Sequence, residues 1–232
     1  MVDGIGSRSV NPWSATGRHR DWWLLVGLPA VAMAFVLTWP RAGWWALGAG
    51  AMVYGCGYLS FSRHRAWRRT TAEVAHTLGR LAELNGASRP GHTDRSSIVA
   101  VAVGRRLGMA DAALETARHA ARAGDVGRVG LDRSPTTRPG FDRETVAEWS
   151  AAIMRRAPGL AEAAEAVAPP DPEDPYLRSV RRVVQVATAF DEATCGEGLA
   201  ADEALALVAA GAPDHSDEAL ATLGAIFGVV RR

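Results

Sequence analysis

Two long runs without a charged side chain occupy much of the first quarter of the chain. They cover residues 22–40 and 42–62, with only Arg41 between them. As helices they would measure about 28 Å and about 31 Å, close to the roughly 30 Å hydrocarbon core of a bilayer. The runs therefore predict a two-span transmembrane helical hairpin over residues 22–62.

The residues around these runs predict an orientation. Seven of the eight tryptophans lie between Trp13 and Trp67, as in the aromatic belts at membrane interfaces. Arginines precede the first run and follow the second, and this favours a cytoplasmic position for both termini. The sequence thus predicts a multi-pass inner-membrane protein with a cytoplasmic tail over residues 1–21. A signal peptide is disfavoured because the first run exceeds the typical length of about 7–15 residues.

Charge is distributed unevenly along the chain. Residues 1–90 contain ten arginines and four acids, a net charge of +6, whereas residues 91–232 have a net charge of −5. An acidic main domain argues against nucleic acid as its partner. The two cysteines, Cys56 and Cys195, are too few and too distant in sequence to indicate a disulfide framework or a cysteine-based zinc site.

The segment over residues 63–88 is predicted to be a linker helix. Val74, Leu78, Leu81 and Leu84 recur at steps of four and three, which places them on one helical stripe. Two interpretations follow from this stripe. It packs on the chain's own domain, or it forms a dimer seam.

Beyond the linker, residues 89–232 are predicted to form an all-α domain. Apolar residues recur with helical spacing, and no alternating strand pattern is present. The expected helices cover about 92–108, 110–123, 142–156, 159–168, 176–194, 200–210 and 216–230.

Three motifs in this domain resemble those of the HD-GYP branch of the HD metallophosphohydrolases. They are Gly-His-Thr-Asp-Arg over residues 91–95, Gly-Asp-Val-Gly-Arg-Val-Gly over residues 124–130, and Val-Ala-Thr-Ala-Phe-Asp over residues 186–191. Members of that family are all-α and bacterial. The resemblance implies a helical bundle in which histidines and aspartates hold two or three metal ions against the phosphodiester of cyclic di-GMP.

The resemblance also implies that most metal ligands are missing. His92 and Asp125 match ligand positions, and two ligands out of about seven cannot make a binuclear site. We therefore expect no catalytic residue, no bound metal and no cofactor, with His92 and Asp125 as vestigial positions. The positions where the family pattern has a ligand and this chain does not are Gly124, Val146, Pro169, Pro170 and Thr188.

Each retained residue also has a simpler interpretation. Asp125 follows Gly124 and could simply turn the chain at a helix end. His92 could be an exposed residue in the first turn of a helix. Arg128 matches a lysine of the family motif, so it is a candidate ligand-binding residue, although a solvated arginine is the simpler explanation of it. His119 would point to a different helical face from Gly124.

Together these observations predict a membrane-anchored, catalytically degenerate HD-GYP-like domain. It would act as a signalling or regulatory binding module through a protein partner or self-association. One alternative is an active phosphohydrolase with a reduced site on His92 and Asp125, which would need iron or manganese. Another is a non-catalytic receptor in which Arg128 helps to hold a cyclic dinucleotide.

Overall fold

The structure is a computed structural model that describes Met33 and residues 43–131, 143–211 and 217–229. Every regular element within these ranges is helical, which confirms the prediction of an all-α fold. The elements are α1 (Trp44–Leu84), α2 (His92–Arg106), α3 (Asp111–Ala123), α4 (Val126–Leu131), α5 (Arg143–Arg155), α6 (Ala161–Val167), α7 (Pro175–Asp191), a π-helical turn (Glu192–Gly196), α8 (Ala201–Gly211) and α9 (Asp217–Ile226).

The prediction of a transmembrane hairpin and a multi-pass membrane location is wrong. Across the described ranges, none of the helices combines the length and the hydropathy needed to cross a bilayer. From Trp44 onward the second run lies in α1, where Gly48, Gly55, Tyr54, Tyr58 and Ser60 lower the mean hydropathy, so a stretch without charge is not a strongly apolar one. The first run, apart from Met33, and the tail over residues 1–21 lie outside the described residues.

Helix α1 packs its last third against the domain. Thr71, Ala75, Gly79 and Ala82 form its buried face, and a Cβ on Gly79 would lie 2.5 Å from the Arg122 carbonyl oxygen. Val74 and Leu78 pack on the core, whereas Leu81 and Leu84 are exposed. Two members of the apolar stripe therefore pack on the chain's own domain, and the other two face away from it.

The core lies between α2, α3 and α7, with α5, α6, α8 and α9 around them. Many of its members are alanines, and Ala100, Ala117 and Ala187 are fully buried. Small side chains let these helices approach closely, and Met154 and Leu223 fill the remaining interior. This packing brings the start of α2, the turn after α3 and the end of α7 to one place.

Helix α4 was not predicted, because its sequence is rich in glycine and resembles a turn. The close approach of α5 explains why this segment is rich in glycine. A Cβ on Gly127 would lie 2.5 Å from the Val146 carbonyl oxygen and 2.7 Å from the Ser150 nitrogen. Ser150 Oγ accepts a hydrogen bond from the Gly127 amide at 2.9 Å and donates one to the Gly124 carbonyl. Tertiary packing thus outweighs the low helix propensity of glycine here.

Candidate functional site

Six charged side chains meet where α2, the α3–α4 turn and α7 converge. We call them the ion cluster, and they are His92, Arg95, Asp125, Arg128, Asp191 and Glu192. Gly91 precedes α2 with φ 76°, a left-handed conformation that glycine adopts at little cost, and the helix then starts at His92. The ion cluster therefore contains residues from all three sequence motifs, although the third motif lies about 60 residues after the second.

His92 lies at the centre of the ion cluster and is only 4% exposed. Its Nδ1 is 2.7 Å from Oδ2 of Asp191, and its Nε2 is 3.1 Å from Oδ2 of Asp125. Both ring nitrogens therefore face a carboxylate, the arrangement that suits a doubly protonated imidazolium. The interpretation of His92 as an exposed residue in a first helical turn does not hold.

Asp191 is held by two cations at once. Arg95 donates from Nε to Oδ1 at 2.7 Å and from Nη2 to Oδ2 at 3.0 Å, a bidentate pair. Arg95 follows His92 by three residues and so lies on the same face of α2. These contacts link the end of α7 to the first turn of α2.

Asp125 has its own set of partners on the other side of the His92 ring. Arg128 Nε lies 3.2 Å from its Oδ1, and Ser88 Oγ donates to its Oδ2 at 3.4 Å. The Arg128 Nη2 also donates to Oε1 of Glu192 at 3.1 Å. Arg128, the candidate ligand-binding residue, therefore bridges two carboxylates of the chain itself.

Glu83 holds the start of α2 from the neighbouring helix α1. Its Oε1 accepts from the Thr93 amide at 3.2 Å and from Thr93 Oγ1 at 2.7 Å, and so satisfies one of the orphan amides at the helix start. Arg80 pairs with the other carboxylate oxygen at 2.8 Å. Helix α1 is thus tied to the helix that carries His92.

The pKa values in the ion cluster favour its charged form. Burial alone lowers the pKa of His92, but the hydrogen bonds and charges of Asp125 and Asp191 outweigh burial and raise the pKa to about 9. Burial raises the pKa values of both aspartates. The hydrogen bonds and charges of His92 and the neighbouring arginines lower these pKa values by more, so both lie below the usual range. At neutral pH His92 is then a cation that lies between two carboxylates, Asp125 and Asp191.

These residues do not fit a metal site of the HD type. A metal ligand must direct a free lone pair at the ion, whereas both His92 nitrogens are directed at carboxylates. The two ring nitrogens diverge, so Asp125 and Asp191 lie on opposite sides of the imidazole rather than around one point. In the part of the chain that the structure describes, no group of three or more histidine, cysteine or acidic side chains is arranged to hold a metal ion.

The other positions singled out by the resemblance do not belong to the ion cluster. Val146 is buried against α4, and the residues Pro169 and Pro170 lie between α6 and α7. The buried side chain of Arg181 extends from α7 to this connecting segment. It donates to Pro170 O at 2.9 Å, to Asp171 Oδ1 at 2.7 Å, and to Val167 O at 2.9 Å and Ala168 O.

The other buried histidine in the described ranges, His119, lies in a different environment. Burial, together with the charges of Arg122, Arg118 and Arg68, lowers its pKa to about 4, so it is neutral. None of these arginines belongs to the ion cluster.

Sequence reasoning missed Asp191, Arg95 and Glu192 as members of this site. Asp191 is 99 residues from His92, and only the fold brings them together. Two local signals were available. Arg95 lies one helical turn after His92, and Asp191 lies one turn after Thr188, a position that the resemblance had marked.

Comparison of the chain with protein-family models, with curated proteins and with solved structures gives no match. The resemblance to HD-GYP domains therefore stays a prediction that rests on the three motifs.

Proposed function

We propose that the helical domain is a non-catalytic binding module in which an ion cluster stands in place of the metal centre of an HD-type fold. It would act in regulation through protein contacts. The observation that carries the proposal is the position of His92, whose two nitrogens are both directed at carboxylates. A group in this position is not available as a metal ligand or as a general base at neutral pH.

The charge balance of the site supports the same conclusion. Asp125 and Asp191 would be the carboxylates able to attract a divalent ion, but Arg95, Arg128 and His92 already neutralise them. A metal ion would have to displace a proton from His92 and break the bidentate contact of Arg95. Both steps oppose binding.

The same geometry weakens the two alternatives. An active phosphohydrolase with a reduced site would need His92 and Asp125 free to share one ion. A cyclic dinucleotide receptor would need Arg128 to leave Asp125 and Glu192 before it could meet a phosphate. In each case the chain's own groups compete with the ligand.

Metal content of the purified full chain tests the proposal. After incubation with manganese or iron and removal of excess metal, we expect far less than one ion per chain and no hydrolysis of cyclic di-GMP. About two ions per chain, with turnover that is lost in Asp125→Ala and retained in Asp94→Ala, would refute the proposal. Asp94 is a suitable control because it lies two residues after His92 in α2 but pairs with Arg122 instead of a member of the ion cluster.

Calorimetry tests the receptor alternative separately. We expect no cyclic di-GMP binding at micromolar ligand. Micromolar or tighter binding that is lost in Arg128→Ala but kept in Arg182→Ala would replace a protein-binding role with nucleotide recognition.

A further inference from the structure

The contact between α1 and the domain depends more on polar groups than the core does. The buried face of α1 consists of Thr71, Ala75, Gly79 and Ala82. These side chains are small, so each buries less apolar surface than core residues such as Met154. Hydrophobic burial therefore holds α1 less firmly than it holds the helices of the core.

One face of α3 meets α1. At one end of this face, Arg68 Nε of α1 donates to Glu115 Oε1 at 3.0 Å. At the other end, a Cβ on Gly79 of α1 would lie 2.5 Å from the Arg122 carbonyl oxygen. His119 lies one helical turn after Glu115 and one turn before Arg122, so it is on the same face, and it is only 5% exposed. We call this contact the α1–α3 interface, and its residues are 68–79 of α1 and 115–122 of α3.

The charges that act on His119 are positive. Burial lowers the pKa of its ring, and the charges of Arg122, Arg118 and Arg68 lower it further, to about 4. Among the described residues, no carboxylate forms an ion pair with this ring, in contrast to the ring of His92. A proton on His119 would therefore add a fourth cation to three, in a buried position without an anion beside it.

The other ionisable side chains that face α3 already have partners. Oδ1 of Asp94, in α2, lies 3.1 Å from Arg122 Nη2. Glu162 of α6 accepts a hydrogen bond from Thr116 Oγ1 at 3.2 Å, and the Tyr176 hydroxyl of α7 lies 3.2 Å from the same oxygen. A protonated ring could therefore gain a carboxylate only if an existing contact were broken.

His76 of α1 is the second histidine of the α1–α3 interface, and its environment is different. Its Nδ1 lies 3.6 Å from Oδ1 of Asp94, and its side chain is about half exposed. A proton on His76 would attract Asp94 and strengthen the contact of α1 with the domain. This difference makes His76 a matched control for His119.

We propose that His119 makes the α1–α3 interface sensitive to acid, so that protonation of its ring releases residues 68–79 of α1 from α3. Release exposes the ring to water, where it binds a proton with its ordinary affinity. The pKa of the ring is about 4 in the closed interface, against 6.5 for an exposed histidine. Linkage between these two values makes the closed interface about 25-fold less favourable at pH 5 than at pH 7.5.

Hydrogen exchange of the full chain measures the opening of this interface. A helix without tertiary contacts is only marginally stable in water, so the amides of the released segment exchange. After correction for intrinsic exchange rates, we expect the protection of amides in residues 71–79 to fall about 25-fold from pH 7.5 to pH 5. The fall should disappear in His119→Gln, whose side chain does not titrate, and persist in His76→Gln.

Amides in α7 distinguish local release from unfolding of the whole domain. In global unfolding the pH dependence of His92 is opposite to that of His119 and offsets it, so the protection of α7 should change only a few-fold. Equal protection of residues 71–79 and α7 at pH 5 would show that α1 leaves only when the domain unfolds. That result would overturn the proposal.

NMR titration of the parent chain gives a test that needs no variant. We expect the His119 imidazole to titrate near pH 4 in the folded chain, and a midpoint near pH 6.5 would contradict the proposal even if His119→Gln does not fold. If His119→Gln does fold, a 25-fold fall in protection that persists in it would assign the acid sensitivity to another group and would equally exclude this role of His119.

Discussion

The charge on His92 should make the stability of the domain depend on alkaline pH. The hydrogen bonds and charges of Asp125 and Asp191 overcome burial and raise its pKa to about 9 from 6.5. A group whose pKa is higher in the folded state stabilises that state fully below its unfolded pKa. The stabilisation disappears as the pH rises through the folded pKa. For His92 it should therefore be complete below about pH 6.5 and lost by about pH 10.

The size of the effect follows from the shift. A rise of about 2.5 in the pKa of His92 corresponds to about 3 kcal/mol in the free energy of unfolding. The His92 side chain is only 6% exposed, so solvent screens its interactions with the aspartates little. The two aspartates have the opposite dependence on pH, because their contribution to stability is lost in acid and not in alkali. Because their pKa values are lowered, their contribution is present above about pH 4 and is lost in acid. Stability from the ion cluster should peak between these limits.

Denaturant unfolding of the full chain and of His92→Gln, at pH values from 5 to 10, measures this contribution. The variant retains a polar side chain but cannot carry the charge. We expect the free energy of unfolding of the parent chain to exceed that of His92→Gln by an amount that falls by about 3 kcal/mol between pH 6.5 and pH 10. Parallel curves, or a His92 imidazole that titrates near pH 6.5 by NMR, would refute the assignment of a buried imidazolium.

Two further substitutions test the packing that holds the site. Gly127→Ala should lower the free energy of unfolding by about 1–3 kcal/mol, because its Cβ would lie 2.5 Å from a backbone oxygen of α5; Gly57→Ala, in open space, should not lower it. Arg181→Met should lower the free energy of unfolding by about 2–4 kcal/mol, because it removes the donors to the carbonyls at the end of α6. The control Arg182→Met should change it by about 0.5 kcal/mol or less. Equal losses in the two arginine variants would contradict this role of Arg181.

The helices of the domain were predictable because their signals are local. Periodic apolar residues place α2, α3, α5 and α7 within a few residues of the observed limits. Helix α4 was missed because its glycines argue against a helix locally, and only the closeness of α5 explains them. The transmembrane prediction failed because absence of charge was taken as sufficient, although glycine, serine and tyrosine contribute little hydropathy.

The site was only partly predictable for a related reason. The motifs singled out His92 and Asp125, but their roles depend on Asp191 and on two arginines. An ion pair between residues 99 apart leaves no periodic signal in one sequence. Arg181 shows the same limit, because no local signal in the sequence indicates that its side chain is buried against the end of α6.

Under the proposed HD-type origin, the ion cluster would also be hard to convert back into a metal site. The resemblance places a second histidine at Gly124, where a Cβ would lie 2.9 Å from the Ala120 carbonyl oxygen. Any side chain there would have to shift the end of α3, and the Gly124 carbonyl is itself fixed by Ser150. Arg95 would have to leave Asp191 as well. Under that proposed origin, residues such as Gly124 and Val146 that stand at ligand positions would also provide packing that stabilises the fold.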